Sequence, residues 1–280
     1  MTYTEIWHAL APVYGSSEAK AVARLLLDDL FGFTLTDIVS GKVSELSAES
    51  TLLLQEKMRR LSEGEPVQYV TGQALFCGRS FSVGPGVLIP RPETEDLVAL
   101  VERFLSAKAP DHLLRIVDGG TGSGCIACTL ALDVPQSEVT AWDVSPAAIR
   151  RAQANAASLG AKVDIVHRDM LSLPTENSCW DVIVSNPPYV LESERADMER
   201  NVVGYEPQEA LFVPDADALR FYRALATYAH TALRPGGLIA FEINPLCADA
   251  MKTLLEAMDF HSVTLSADRF GRTRFLSATS

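Results

Sequence analysis

From Val87 onward, short apolar runs rich in β-branched residues alternate with longer amphipathic ones, and this alternation is what most limits the fold. "LLRIVDG" reads as a strand and "CIACTLALD" as a helix; "EVTAWDV" is a strand and "PAAIRRAQANAASLG" a helix. The strands "KVDIVHRD" and "DVIVSNP" follow, and after a longer insertion the helix "LRFYRALATYAHTALRPGG" leads into the strand "LIAFEI". Parallel strands cannot be joined by tight turns, so each needs a crossover, usually a helix. The pattern therefore predicts an α/β fold built on a parallel sheet.

The region before it follows different rules. Residues 1–64 read as helices: apolar spacing near 3.6 runs from Ser17 to Phe31, and "SAESTLLLQEKMRRLSEG" offers Ser47 or Ser50 as N-cap with Gly64 beyond the end. Residues 65–86, "EPVQYVTGQALFCGRSFSVGPG", place aromatic and β-branched residues around Cys77-Gly78-Arg79 and read as a β-hairpin linker closed by Gly84-Pro85-Gly86. Residues 87–280 then form the large α/β domain.

The chain has 280 residues, 48% hydrophobic and 21% charged, enough for a core without covalent staples. A formal charge of −12 argues against broad, charge-driven binding of nucleic acid. Five cysteines in no framework spacing point to a reducing compartment. The opening "MTYTEIWHALAPVYG" is not a secretory signal, and the most apolar stretch, 113–134, is broken by Arg115, Asp118 and four glycines, so no membrane span is expected. A cytoplasmic monomer is the expectation.

The chemistry is concentrated at strand ends. After the first strand the chain reads Asp118-Gly119-Gly120-Thr121-Gly122-Ser123-Gly124 and enters a helix directly. Glycines at 120, 122 and 124 let the backbone turn tightly and approach a ligand, and the helix start offers free N–H groups. The spacing is G-x-G-x-G, not the G-x-G-x-x-G of dinucleotide folds. The second strand ends in Asp143, where an acid in this topology accepts both hydroxyl hydrogens of an adenosine ribose; Ser145 can cap the next helix while Asp143 stays free. Asp169, closing the third strand, is placed to accept from an adenine amino group.

The fourth strand delivers Asn186-Pro187-Pro188-Tyr189. The prolines bias the backbone towards extended and donate no hydrogen bond, so the Asn186 side-chain oxygen and the Pro187 carbonyl form a pair of acceptors. Two acceptors side by side match the two hydrogens of a planar –NH2 group. Holding both orients a delocalised nitrogen lone pair at an electrophilic carbon, and Tyr189 packs on or bonds the same group.

With these residues in order, the chain resembles the S-adenosylmethionine-dependent methyltransferases of the seven-stranded Rossmann-like fold. Within them it resembles the protein-(glutamine-N5) methyltransferases acting on peptide chain release factors, the PrmC or HemK family. "EPVQYVTG", "FCGRSFSV", "VLIPRPETE", "GTGSG", "NPPY" and "YEPQEAL" carry the likeness across nearly the whole chain, the "PVQY" and "PRPETE" segments most particularly. The resemblance implies that Gly120, Thr121, Gly122, Ser123 and Gly124 line the methionine part of the cofactor, Asp143 the ribose, and Asp169 with Met170 the adenine. It implies that Asn186, beside the cofactor, holds the substrate amide with Pro187, Pro188 and Tyr189, that S-adenosylhomocysteine is the product, and that residues 1–64 dock the release factor. Three departures stand out: Asp118-Gly119 where an apolar residue usually follows the acid, Met170 where an aromatic is common, and Asn244-Pro245 after the fifth strand, which leaves open how that loop closes.

Other features carry less. Cys125-x-x-Cys128 lacks a second pair or a spaced histidine and reads as core, and no metal site is expected. Glu93, Glu95 and Asp96 open a helix whose dipole favours them. "LESERADMERN" reads as a solvated helix or lid. Two rival readings are methylation of an adenine or cytosine amino group of nucleic acid, which the charge opposes, and a non-catalytic cofactor-binding scaffold.

Overall fold

The computed structural model describes residues 1–108 and 112–280, in two compact units. One comprises Met1–Gln73, Val83–Pro85 and Met198–Tyr205; the other comprises Ala74–Ser82, Gly86–Asp197 and Glu206–Ser280.

The first unit is helical: α1 (Tyr3–Phe31), α2 (Leu35–Val39), α3 (Ala48–Ser62) and α4 (Val67–Thr71). A reciprocal Thr2–Glu5 capping box starts α1, which breaks at Gly15 (φ 70°, ψ 164°), three residues past Pro12. The two arms bury Ile6 and Leu10 before the break and Ala19, Val22, Leu26 and Leu27 after it. Of the two candidate caps of α3, Ser47 serves: its Oγ accepts the Ser50 N–H at 3.1 Å, because Ser50 lies in the first turn and its amide is one of the orphan donors. The hairpin expected over 65–86 is shorter than that. Residues 67–71 form α4 instead, bounded by Pro66 and by Gly72 at φ 82°, with Tyr69 and Val70 buried. Burial of one face overrides the β propensity of "VQYV" there.

The hairpin proper, in the second unit apart from Gln73, is β1 (Gln73–Phe76) and β2 (Arg79–Ser82), turning on Cys77 and Gly78, both at positive φ as a tight hairpin requires. Then come α5 (Thr94–Ser106), β3 (Leu114–Gly119), α6 (Cys125–Asp133), β4 (Ser137–Asp143), α7 (Pro146–Leu159), β5 (Val163–His167), β6 (Trp180–Ser185) and the short β7 (Val190–Leu191). The charged insertion follows as a 3-10 turn over Glu192–Asp197 and α8 (Arg200–Tyr205), α8 belonging to the helical unit. β8 (Phe212–Val213), α9 (Arg220–Ala232), β9 (Leu233–Glu242), α10 (Ala248–Ala257), β10 (His261–Ala267) and β11 (Thr273–Thr279) complete the chain.

The main sheet has the order β10-β11-β9-β6-β3-β4-β5. Five strands are parallel, and β11 runs antiparallel to both β9 and β10. Successive residues of one strand go to opposite cores because side chains alternate with period two. Ile116, Val182 and Val184 pack towards α5 and α6 with Leu97, Val101 and Ile126. Val117 and Ile183 pack towards α9 and α10 with Tyr222, Leu225, Met251 and Leu255. Both faces are covered, so β6 is buried along its whole length, with Val182, Ile183 and Val184 as its apolar centre.

The chain lays β4 and β5 on one side of β3, then reverses to place β6 and β9 on the other. Ligand clefts open beyond the carboxyl ends of strands at such a reversal. Register sharpens this: Gly119 pairs with Trp142 on one side and Ser185 on the other. The next residues, Gly120, Asp143 and Asn186, therefore leave the sheet side by side.

Replacing Ile183, fully buried in the central sheet, by alanine is expected to lower stability by about 2–4 kcal/mol. Leu75→Ala on the hairpin, where the side chain is 75% exposed, should change it by no more than about 0.5 kcal/mol. Urea denaturation followed by circular dichroism compares the two.

Candidate active site

Between β3 and α6 the loop is tied to the neighbouring strand before it turns. The Gly120 and Thr121 N–H groups both donate to the Trp142 carbonyl, at 2.8 and 2.9 Å. Gly120, Gly122 and Gly124 all lie at positive φ (71°, 55° and 81°), where a side chain would be strained. At Gly124 a Cβ would also stand 3.2 Å from the Ala152 backbone, so the glycine lets α6 start against α7. Thr121 Oγ donates to Asp118 Oδ2 at 2.6 Å, and the Ser123 carbonyl accepts from Asn155 at 2.8 Å. Thr121 and Ser123 are buried, and their bonds hold the loop's shape.

A cavity of about 280 Å³ opens over this loop. Among the residues singled out from sequence, Gly120, Gly122, Asp143, Asp169, Met170, Asn186 and Pro188 line it. Thr121, Ser123, Gly124, Pro187 and Tyr189 stand outside its wall, as supports. Gly86, Val87, Leu88, Pro207, Glu209 and Phe221 complete much of the wall, and nothing in the glycine loop or "NPPY" pointed to them.

Asp143 is not free, contrary to expectation. One carboxylate oxygen accepts the Gly122 N–H at 2.9 Å and the other the Ser145 N–H at 2.8 Å, while Ser145 Oγ caps α7. The Val144 N–H also faces this carboxylate; of its four or so lone-pair sites some capacity remains for a ribose hydroxyl. Burial raises the Asp143 pKa, and the backbone N–H bonds oppose the shift. Asp169 lies two residues beyond β5 and is exposed; its Oδ1 accepts the Leu171 N–H at 2.8 Å, folding the turn that puts Met170 and Leu171 on the cavity wall.

At the end of β6, Ser185 Oγ donates to the Gly119 carbonyl at 2.6 Å and fastens the strand to the loop. Asn186 follows, with Nδ2 donating to Thr94 Oγ at 3.3 Å. Tyr189 Oη donates to Glu242 Oε1 at 2.9 Å, and burial with that carboxylate nearby raises the phenol's pKa. Asn244 answers the question its position posed: its Nδ2 donates to the Tyr189 carbonyl at 3.1 Å and to Glu194 at 2.6 Å, while Oδ1 accepts the Leu246 N–H. The loop after β9 is thereby pinned to "NPPY". The "YEPQEAL" segment supplies buried Glu206, which accepts the Ile89 N–H at 2.9 Å and the Arg91 guanidinium at 2.5 Å. Thr94 and Glu206 lie in "VLIPRPETE" and "YEPQEAL", segments that carry the family likeness, and Glu242 in the strand "LIAFEI", but sequence alone assigns no role to any of the three. Cys125 and Cys128 are core residues of α6.

A seven-stranded sheet of this order, with a glycine loop after its first strand and an acid ending the next, defines a Rossmann-like methyltransferase. Residues 98–204 match the model of the methyltransferase small domain, and residues 8–72 match that of the PrmC N-terminal domain. A release factor glutamine methyltransferase of Bacteroides thetaiotaomicron is 43% identical over 274 residues, 98% of this chain and 97% of the relative. One from Flavobacterium psychrophilum is 36% identical, over 98% of this chain and 96% of the relative. The solved structure of a T. Thermophilus 16S rRNA methyltransferase shares the fold at TM-score 0.54, with 21% identity over 74% of this chain and 49% of that one. The chain belongs to the release factor glutamine methyltransferase family.

Beneath the loop, Asp118 is fully buried, and burial pushes its pKa up to about 7. A folded-state value above the ordinary one near 3.8 means that the folded protein holds this proton more tightly. The associated stability is complete below about pH 4 and is lost as pH rises through about 7. Asp118→Asn keeps an acceptor for Thr121 without titrating. Relative to the parent, its thermal stability should therefore gain between pH 5 and pH 8, by on the order of 2 kcal/mol. Calorimetry that finds a pH-independent difference would refute this.

Proposed function

We propose that this protein transfers a methyl group from S-adenosylmethionine to the side-chain amide nitrogen of a glutamine in a peptide chain release factor. The observation carrying the proposal is the juxtaposition, on one rung of the sheet, of a glycine loop, the Asp143 carboxylate held by backbone N–H groups, and Asn186 at the mouth of "NPPY".

The cavity suits S-adenosylmethionine chemically. Gly120 and Gly122 offer close backbone approach, Asp143 meets the ribose diol, and Asp169 with Met170, Leu171 and Phe221 offers a mostly apolar slot for a planar base with one acid at its edge. When bound, the cofactor supplies an electrophilic methyl on a sulfonium. The protein's part is positioning. The Asn186 oxygen and the Pro187 carbonyl accept the two hydrogens of the glutamine amide, and Tyr189 borders the same group. An amide nitrogen has a delocalised lone pair, so fixing both hydrogens aims that lone pair along the line of attack. As the N–C bond forms the S–CH3 bond would break and S-adenosylhomocysteine leave, and the nitrogen, made acidic by its new bond, would give its proton to water, so no strong base is required.

Residues 1–64 are assigned to docking the release factor. The reading also holds that the enzyme acts as a cytoplasmic monomer on protein, without direct contact to nucleic acid. Five unpaired cysteines and a charge of −12 support it. None of the described helices is long and apolar enough to cross a membrane.

Incubating the protein with methyl-labelled cofactor and a purified release factor should label one glutamine of the factor, and changing that glutamine to alanine should abolish the label. Asn186→Ala should lower kcat by about 10²–10³. An unlabelled factor beside a cofactor-saturated enzyme, or label in nucleic acid instead, would overturn the proposal.

A further inference from the structure

Glu242 ends β9 in a place where a charge is costly. It is 1% exposed, and burial raises its pKa. It does not line the cavity, so direct contact with the cofactor slot does not explain it. Its bonds point to another role. Oε2 accepts from Thr94 Oγ at 2.7 Å and Oε1 from Tyr189 Oη at 2.9 Å, with Arg274 Nη1 3.9 Å away as the nearest cation.

Counting hydrogens settles the polarity. Each Glu242 oxygen meets one hydroxyl donor, with Arg274 beside Oε1, so the carboxyl group accepts on both sides and the single hydroxyl hydrogen of Thr94 goes to it. Towards Asn186 the threonine then shows only lone pairs, and of the two ends of the Asn186 amide only Nδ2 can meet it, which is the contact present at 3.3 Å. A flipped amide would set two oxygens against each other with no hydrogen between them. Tyr189 likewise gives its hydrogen to Glu242 and accepts from Arg274 Nη1 at 3.4 Å. One buried carboxylate thus holds Tyr189 in place and, through Thr94, leaves the Asn186 oxygen as the end of that amide turned away from the threonine, on a residue that lines the cavity.

We infer that Glu242, acting through Thr94, is the positioning residue that turns the Asn186 oxygen towards the substrate and so selects a group carrying two hydrogens, an –NH2, as methyl acceptor. The inference rests on the proposed function, in which Asn186 accepts from the substrate amide.

Three variants test it together with Asn186→Ala. Thr94→Val keeps the shape and removes the relay; Thr94→Ser keeps the relay; Glu242→Gln brings in an amide that can donate to Thr94 and reverse the chain of bonds. Thr94→Val and Glu242→Gln should lower kcat for release-factor methylation by about 10- to 100-fold, the range in which partners that orient a functional group act. Thr94→Ser should stay within about threefold of the parent, and cofactor affinity by titration calorimetry within about twofold in all three, effects too small to reflect loss of an orienting bond. If Glu242→Gln does not fold, the threonine pair decides alone. Parent-like kcat in Thr94→Val, or equal losses in the valine and serine variants, overturns the inference, the latter because packing alone then matters. If Asn186→Ala itself keeps the parent rate, the reading of Asn186 fails instead; if it loses the rate and Thr94→Val does not, only the relay fails.

Discussion

The site depends on one rung of the sheet. Gly119 is paired in register between Trp142 and Ser185, and that register brings the ends of β3, β4 and β6 level. Shifting β4 or β6 by one residue would carry Asp143 or Asn186 to the other face and exchange the side chains facing the two cores. The two cores therefore hold the register: Ile116 and Val117 of one strand are fully buried in different clusters, as are Val182 and Ile183 of its neighbour. The loop adds local ties at the same level, through the Trp142 carbonyl and Ser185 Oγ. The geometry over the cavity is thus inherited from packing well below it.

Two buried carboxylates flank this rung, and their surroundings separate them. Asp118 lies under the loop with the Thr121 hydroxyl, and burial lifts its pKa to neutrality. Glu242 is equally buried and its pKa is raised too, but it receives two hydroxyl hydrogens, which together with Arg274 oppose the upward pull of burial. A buried charge with oriented partners rigidifies the groups that supply them. In this site those groups belong to Thr94, next to Asn186, and to Tyr189 itself.

The main strands and crossover helices were legible because each buried strand is a short β-branched run and each helix carries its own period. The glycine loop was legible because positive φ at three alternate positions leaves a residue-level trace. "VQYV" was misread as strand, since its composition suits a pleated surface and only burial of Tyr69 and Val70 makes it helical. Asp143 was read as free because the bond it accepts from Gly122 spans 21 residues. Glu242 and Thr94 are 148 residues apart in sequence and meet only because β9 and the start of α5 come together. Neighbouring residues carry no mark of such a pairing.

Two of the departures noted in the sequence turn out to be one feature. A Cβ on Gly119 would lie 3.0 Å from Met170 Sδ, and one on Gly120 would lie 3.0 Å from Met170 Cε. The thioether fills the space that side chains on the loop would claim, and Met170 is itself buried at 8% exposure, with Ser185 Oγ 3.9 Å from its sulfur. An unbranched, flexible side chain can follow the curved surface of two successive glycines in a way that a planar ring cannot. The missing side chain at 119 and the methionine at 170 therefore compensate each other, and the cavity floor stays closed where an apolar residue at 119 would otherwise have closed it.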